Sequence, residues 1–390
     1  MASGTQRVIV VGAGINGAST AFWLADKGVD VVLLEQGYPA SGPTGSSSAL
    51  THAFYLEPEL SILADRGIEQ MLNLPDIAGG PSDYRRVGML WVVGPEAQEE
   101  WIGAVERMNR GGINLELVDV DALAELAPMC DLEGVGIGVW EPDGGYADPS
   151  ITTTTFANGA GARGAQVRLN TSAVRLLRDD AGNPGVELAY GERLFADQVV
   201  IAAGPWTRGL AATAGVDLPL AIERHPMAVL DTPGRAREVM PWSWCDDIAG
   251  NYGRPEGENV VLLGGWSGGG TGVRSEDAQR GREIQDPSAK FERVVDEEES
   301  AEIIDSFSIR FPAFADLPVR KGYADLYDMS PDDLPLIGEL AGAPGIFVIA
   351  GSSGHGFKTG PAVGEAVADL LIEGSNALLE PFSPARFAVQ

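Results

Sequence analysis

At 390 residues with 44 % apolar side chains, the chain is long enough for two domains, or for one large α/β unit with an insertion, and too apolar for extended disorder. A formal charge of −29 opposes polyanionic duplexes and anionic lipid, which argues against nucleic-acid binding and membrane-surface docking. Cys130 and Cys245 are too few for a disulfide framework and form no C-x-x-C pair, so no metal site is indicated either.

The N-terminal stretch "MASGTQRVIVVGAG" has no basic segment leading into an apolar one, and no run of about 18 apolar residues occurs elsewhere. The expectation is a soluble, cytoplasmic protein with no membrane span. The first element, "RVIVVGAG" (7–14), reads as a buried parallel strand ending in glycines. "GASTAFWLADKG" (17–28) has helical spacing at Ala18, Ala21, Phe22 and Ala25, and Gly28 suits the position after a helix. "VDVVLLEQ" (29–36) is a second strand, so the chain opens with a right-handed β-α-β unit.

A Gly-, Pro- and Ser-rich loop follows over 37–55, then helices near 57–73 and 96–110 with the strand "YRRVGMLWVVG" between them. "LVDVDALAELAP" predicts a short helix closed by proline, "PDGGYADPS" a turn, "ITTTTFANGAGARG" a helix, and "AQVRLN" and "ADQVVIAAGPW" strands. Residues 223–320 differ in texture: strands such as "MAVLD" and "NVVLLGGW", aromatic loops and a charged helix near 287–306. "GIFVIAGSSGHGFKTGPAVGEAVADLLIEG" closes the chain as strand, glycine turn and helix. The pattern predicts an α/β, Rossmann-like nucleotide domain from residues 1–82, 146–222 and 321–390. Residues 83–145 and 223–320 form a discontinuous second domain on a mostly antiparallel (α+β) sheet.

Gly12-Ala13-Gly14-Ile15-Asn16-Gly17 matches G-x-G-x-x-G after a strand and at the start of a helix. There Gly12 permits the turn, Gly14 lets backbone approach a pyrophosphate, and Gly17 lets helix pack on strand. Phosphates would sit on the free N–H groups of the helix N-terminus. Glu35, 18 residues past Gly17, ends the second strand, where its carboxylate can accept ribose hydroxyls. Two further apolar strands end in glycine turns, "VVIAAGPW" and "GIFVIAGSSGHG". Several such turns converging on one ligand suit a long cofactor, FAD.

Taken together, "VIVVGAGINGASTAFWLADKG", "VVLLEQ", "GPTGSSSA", "GGYADPS", "VVIAAGPWTRGLAATAGVDLPL", "YGRPEGENVVLLGG", "YDMSPDDLPLIG" and "GSSGHGFKTGPAVGEAVADLL" resemble the D-amino-acid oxidase-type flavoprotein superfamily. Within it the chain is most similar to the sarcosine oxidase, glycine oxidase and dimethylglycine dehydrogenase group. The resemblance implies that Gly12, Gly14, Ile15, Asn16 and Gly17 hold the pyrophosphate and that Glu35 and Gln36 hold the adenosine ribose. It places Thr44, Gly45, Ser46, Ser47 and Ser48 along the pyrophosphate and flavin edge. Val174 would meet adenine, and Ala203, Gly204 and Trp206 the ribityl chain. Gly351, Gly354, His355, Gly356, Phe357 and Lys358 would approach the isoalloxazine. Lys358 would also bind the substrate carboxylate, and His355 would shape the turn or serve the site.

Three departures from the family pattern follow. No cysteine precedes Tyr327 in "ADLYD", which implies non-covalent FAD. The strand Val260 to Gly265 has no oxygen-activating lysine, which favours an electron acceptor other than oxygen. No arginine lies between Gln36 and Asp65, leaving His52, or Tyr252 and Arg254 in "YGRPEG", as substitutes. His225 reads as structural at the start of a strand. Trp242, Trp244 and Trp266 form either an aromatic wall for a methylated amine or core packing. The implied reaction is FAD-dependent oxidation of the C–N bond of a secondary or tertiary amine, an N-methyl or cyclic amino acid, to an imine that hydrolyses. The alternatives are a flavin-binding subunit that needs a partner for turnover, or an oxidoreductase for D-amino acids or 2-hydroxy acids.

Overall fold

The computed structural model of the chain describes residues 6–265 and 282–387. Strand Arg7–Val11 buries four of its five residues and lies parallel to both Asp30–Leu34 and Gln198–Ile201. Burying each such Val, Ile or Leu contributes about 1.5–3 kcal/mol, so this run belongs at the centre of a sheet covered on both faces. Gln166–Arg168 continues the sheet on one side; Ile346–Ala350, then the antiparallel Leu336–Glu339, continue it on the other. Helices Ile15–Asp26, Pro58–Leu72, Pro149–Ala162 and Gly356–Glu373 cover one face, sharing a core with Val8, Val10, Leu33, Val200 and Ile349. The other face packs Ile9, Val32 and Ile201 against Leu176, Val186 and Leu188 of a three-stranded antiparallel sheet.

The second layer is a ten-stranded sheet that includes Met89–Val93, Ile137–Glu141, Ala221–Asp231, Ser243–Asp246, Asn251–Glu256, Val260–Gly265 and Val319–Met329. Its pairings are antiparallel except Ser243–Asp246 against Met89–Val93. Helix Glu297–Ser308 packs Ile303, Ile304 and Phe307 against Trp244, Leu263 and Ala228 on its outer face.

The α/β class and the sequence-read central elements stand as expected, with two differences. The charged helix begins at Glu297, ten residues later than expected. Arg224 donates to the carbonyls of Glu292 (2.6 Å) and Val294 (3.3 Å), which holds that stretch extended. Asp296 then starts the helix by accepting from the Glu299 N–H at 2.9 Å. The expected break at 321 falls inside strand Val319–Met329, which pairs along its length with Ala221–Asp231 in the large sheet. No helix among the described residues is long and apolar enough to cross a membrane.

Candidate active site

Two cavities meet between the layers. The first, of about 380 Å³, runs along the C-terminal ends of the parallel strands, lined by Gly12, Gly14, Glu35, Val174, Trp206 and Gly354 among others. The second, of about 440 Å³, opens between the large sheet and the N-terminus of helix Gly356–Glu373. Ser47, Tyr327, Gly354 and Phe357 line both. Volumes of this size fall in the range of about 300–1,000 Å³ typical of small-molecule sites.

The elongated cavity fits FAD by its donors and acceptors. Gly12 turns at φ +103°, where any side chain would strike the Ala202 carbonyl, and Gly14 borders the open space. Gly14 has no side chain to cap helix Ile15–Asp26; the Ile15 N–H donates to Thr44 Oγ1 at 3.3 Å, and the next N–H groups of the first turn are available to phosphate. Asn16 also lines this cavity, its Nδ2 meeting Ser352 Oγ at 3.5 Å and its buried Oδ1 left without a hydrogen-bond partner. Glu35 accepts the Ala13 and Gly37 N–H groups, each at 2.8 Å, and the Ser41 hydroxyl at 3.2 Å, so its carboxylate is fixed at the cavity wall with one acceptor site left for a ribose hydroxyl.

Gln36, Thr44, Ala203, Gly204 and Gly356 also line this cavity, whereas Ser48 lines the other. Gly17, Gly45, Ser46 and Gly351 line neither cavity. A side chain at Gly17 would meet Gly12, and one at Gly45 would meet Ala40. Ser46 Oγ donates to Asp325 at 2.6 Å, and the Gly351 N–H donates to Asp328 at 2.7 Å.

Lys358 lies in the first turn of helix Gly356–Glu373, buried at 6 % exposure, and lines the larger cavity. Its backbone is fixed from behind: helix Pro58–Leu72 crosses so closely at Gly67 that a side chain there would collide with the Lys358 carbonyl. Among the described residues it has no ion-pair partner. Burial pulls its ammonium down to about 8, with Cys245 and Glu141 opposing.

All three histidines line this cavity. Burial, and then the Lys358 charge, holds His355 down at about 3; its Nδ1 meets Tyr55 Oη at 3.0 Å. His52 is lowered by burial and by Lys358, and packs against Trp91 with ring centroids 4.8 Å apart. His225 is held down at about 4 by burial. It was expected to be merely structural, yet it stacks on Tyr327 at 4.2 Å and meets Tyr252 Oη at 3.1 Å through Nε2. Tyr252 Oη in turn meets Tyr327 Oη at 3.3 Å. These groups form a neutral, hydrogen-bonded wall where the two cavities join.

Arg254 is not a carboxylate grip. It is 3 % exposed, lines neither cavity, stacks over Tyr146 at 4.1 Å, donates to the Ser48 carbonyl and pairs with Glu256 at 2.6 Å. Trp242 and Trp244 pack in the core beneath helix Glu297–Ser308, and Trp266 lies outside the described residues. The aromatic wall comes from Trp91, Tyr55, Tyr252 and Tyr327. Of these, sequence reasoning named only Tyr252 as a site candidate, because Trp91, Tyr252 and Tyr327 come from separate strands and Tyr55 from the loop before helix Pro58–Leu72, and no local pattern encodes their meeting.

The FAD dependent oxidoreductase (DAO) family matches residues 7–370. A 4-methylaminobutanoate oxidase (formaldehyde-forming) of Paenarthrobacter nicotinovorans is 28 % identical over 95 % of this chain, which spans 44 % of that protein's length. An N-methyl-L-tryptophan oxidase of Salmonella arizonae is 25 % identical over 98 % of this chain and 99 % of its own. The fold superposes on L-proline dehydrogenase from P. horikoshii with a TM-score of 0.84 at 24 % identity, covering 98 % of each chain.

Proposed function

Because this chain belongs to the family of FAD dependent oxidoreductases, we propose that it oxidises the C–N bond of a secondary or tertiary amine that carries a carboxylate. An N-methyl or cyclic amino acid fits best. Held along Gly12, Gly14, Glu35 and Gly354, FAD would supply the acceptor for the hydride equivalent lost from the carbon next to nitrogen, and the imine so formed would hydrolyse in water.

The observation that carries this reading is the buried ammonium of Lys358. It faces a cavity that shares Ser47, Tyr327, Gly354 and Phe357 with the FAD channel. A cation without an ion-pair partner in such a place is stabilised by a carboxylate, and the pairing fixes the substrate relative to the channel. Tyr327, Tyr252 and His225 present a neutral, mutually bonded surface, so the substrate's amine meets no fixed positive charge on that side. Trp91 and Tyr55 add aromatic surface to the same cavity. Strand Val260–Gly265 carries no lysine, which favours an acceptor other than oxygen.

The test is anaerobic mixing of the FAD-loaded protein with sarcosine, dimethylglycine, proline, N-methyltryptophan, 4-methylaminobutanoate, D-alanine and lactate. Bleaching of the visible flavin band by one or more of the secondary or tertiary amines is expected. Bleaching by lactate or D-alanine alone, or by none of the panel, overturns the reading. Admitting air to the reduced protein then separates oxidase from dehydrogenase.

A further inference from the structure

Glu141 is a deeply enclosed carboxylate behind the site. It ends strand Ile137–Glu141 at 2 % exposure and lines neither cavity. Both oxygens are engaged by groups distant in sequence. Oε2 accepts the Ala53 N–H at 2.6 Å; Oε1 accepts the Phe54 N–H at 3.2 Å and the Trp91 indole N–H at 3.0 Å. A buried carboxylate is costly unless fully bonded, and this one is satisfied by one short segment and one indole. That segment carries His52 before the two amides and Tyr55 after them, and both side chains face the larger cavity, as does Trp91. From Tyr55 the connection continues through its hydroxyl to His355 Nδ1 at 3.0 Å. His355 is the cap residue of the helix whose first turn holds Lys358.

Resting on the amine-oxidising reading of the cavity, we propose that Glu141 is a positioning residue: by gripping Ala53, Phe54 and Trp91 it sets the His52–Tyr55–Trp91 wall and, through Tyr55 and His355, the helix start that presents Lys358. It thereby joins the substrate sheet to the cofactor-side helix at the point where the substrate is oriented. Burial raises its acid to about 7 against the three hydrogen bonds, and it is one of two groups that oppose the lowering of Lys358. Both effects agree with a carboxylate enclosed beside the wall. A side chain at Gly138, three residues earlier on the same strand, would press on the Leu123 methyls and the Trp91 carbonyl.

Glu141→Gln keeps the volume but replaces one acceptor oxygen by a donor, so one of the three N–H groups loses its partner. In the FAD-loaded variant, the Ala53 and Phe54 amides should exchange hydrogen about ten-fold faster or more, while those of strand Arg7–Val11 stay protected. The limiting rate of anaerobic flavin reduction should fall by about ten-fold or more, because small displacements of a positioning group are amplified in the rate. Flavin content should be unchanged. Faster exchange with an unaltered reduction rate would make Glu141 merely structural and overturn the proposal, as would unaltered exchange. Should this variant fail to load FAD, Trp91→Phe decides. It removes one donor to Oε1, and should accelerate exchange at Phe54 with a smaller loss in reduction rate; no change in either overturns the proposal. If wild-type flavin is bleached by no amine, the function fails, whereas the exchange result still reports on the Glu141 grip.

Discussion

Replacing Lys358 by methionine removes the charge while keeping an unbranched apolar stem in the first turn of helix Gly356–Glu373. In the empty protein the gap between about 8 and the ordinary 10.5 corresponds to roughly 3 kcal/mol disfavouring the charged form. Removing an unpaired buried ammonium should therefore raise the stability of the ligand-free protein near pH 7, by no more than about 3 kcal/mol. The wild type should gain stability as pH rises from about 8 towards 10.5, because there the unfolded chain binds the proton that the native Lys358 has released.

Binding reverses the ranking. A carboxylate entering the wild-type cavity finds a cation, whereas in Lys358→Met it is desolvated without one, a loss of about 3 kcal/mol or roughly a hundred-fold in the dissociation constant. Acetate is the cleanest probe because it has no amine to titrate, and the flavin absorbance reports its binding. Wild-type affinity should weaken about ten-fold per pH unit above about 8, as the ammonium is lost, and the variant's profile should be flat there. Acetate and substrate affinities within two-fold of wild type, or an unchanged pH profile, would refute the assignment of Lys358 as the carboxylate anchor.

Gly67→Ala should act on the same anchor from outside the cavity. Its methyl group would collide with the Lys358 carbonyl, so helix Pro58–Leu72 must shift at a cost of about 1–3 kcal/mol. Substrate affinity should drop with FAD content preserved, as titration of the reduced-flavin amplitude would reveal. Arg254→Ala should do the reverse. Breaking the pairing with the half-exposed Glu256 and the bond to the Ser48 carbonyl should lower stability by about 1–3 kcal/mol, read in a melting curve, with little change in KM. Acid precipitation of the FAD-loaded protein should leave the flavin in the supernatant; yellow pellet after washing would mean a covalent link.

What the sequence reveals here is chemistry that contiguous backbone performs. The turn at Gly12, the uncapped helix behind it and Glu35 at the end of the next strand lie within 24 residues, and the parallel pairing of Arg7–Val11 with Asp30–Leu34 follows from the crossover alone. Lys358 was legible for a similar reason, as a rare cation inside a glycine turn that opens a helix. Arg254 shows the limit. Its spacing from Tyr252, two residues along one regularly paired strand, puts both on the same face and suggested a shared role, but that spacing also carries Arg254 about 7 Å further along the strand. The guanidinium found the Tyr146 ring and the Ser48 carbonyl instead. His225, Tyr252 and Tyr327 come from three strands and meet only through the pairing of Ala221–Asp231 with Val319–Met329 and the neighbouring strands. Glu141 bonds to residues 87 and 88 positions away, and nothing near it in the sequence marks it.

The charge arrangement of the larger cavity bears on which substrates can use it. Its rim includes the exposed Glu57 and Asp332, the latter paired with Arg386 at 2.8 Å, while its buried part holds Lys358 among neutral imidazoles and phenols. On the proposed reading, a zwitterionic amino acid would enter carboxylate first onto Lys358, which would leave its ammonium near that cation. Like charge disfavours the ammonium form, so the amine is biased towards the neutral state from which hydride can leave, and a strong protein base is unnecessary. A 2-hydroxy acid, by contrast, approaches as a simple anion against a protein of formal charge −29. That repulsion acts over a Debye length of about 8–10 Å at ordinary ionic strength and vanishes from a zwitterion at long range. Added salt should therefore speed the binding of acetate or lactate while leaving that of an amino acid nearly unchanged. This difference favours the amine over the hydroxy acid before either reaches Lys358.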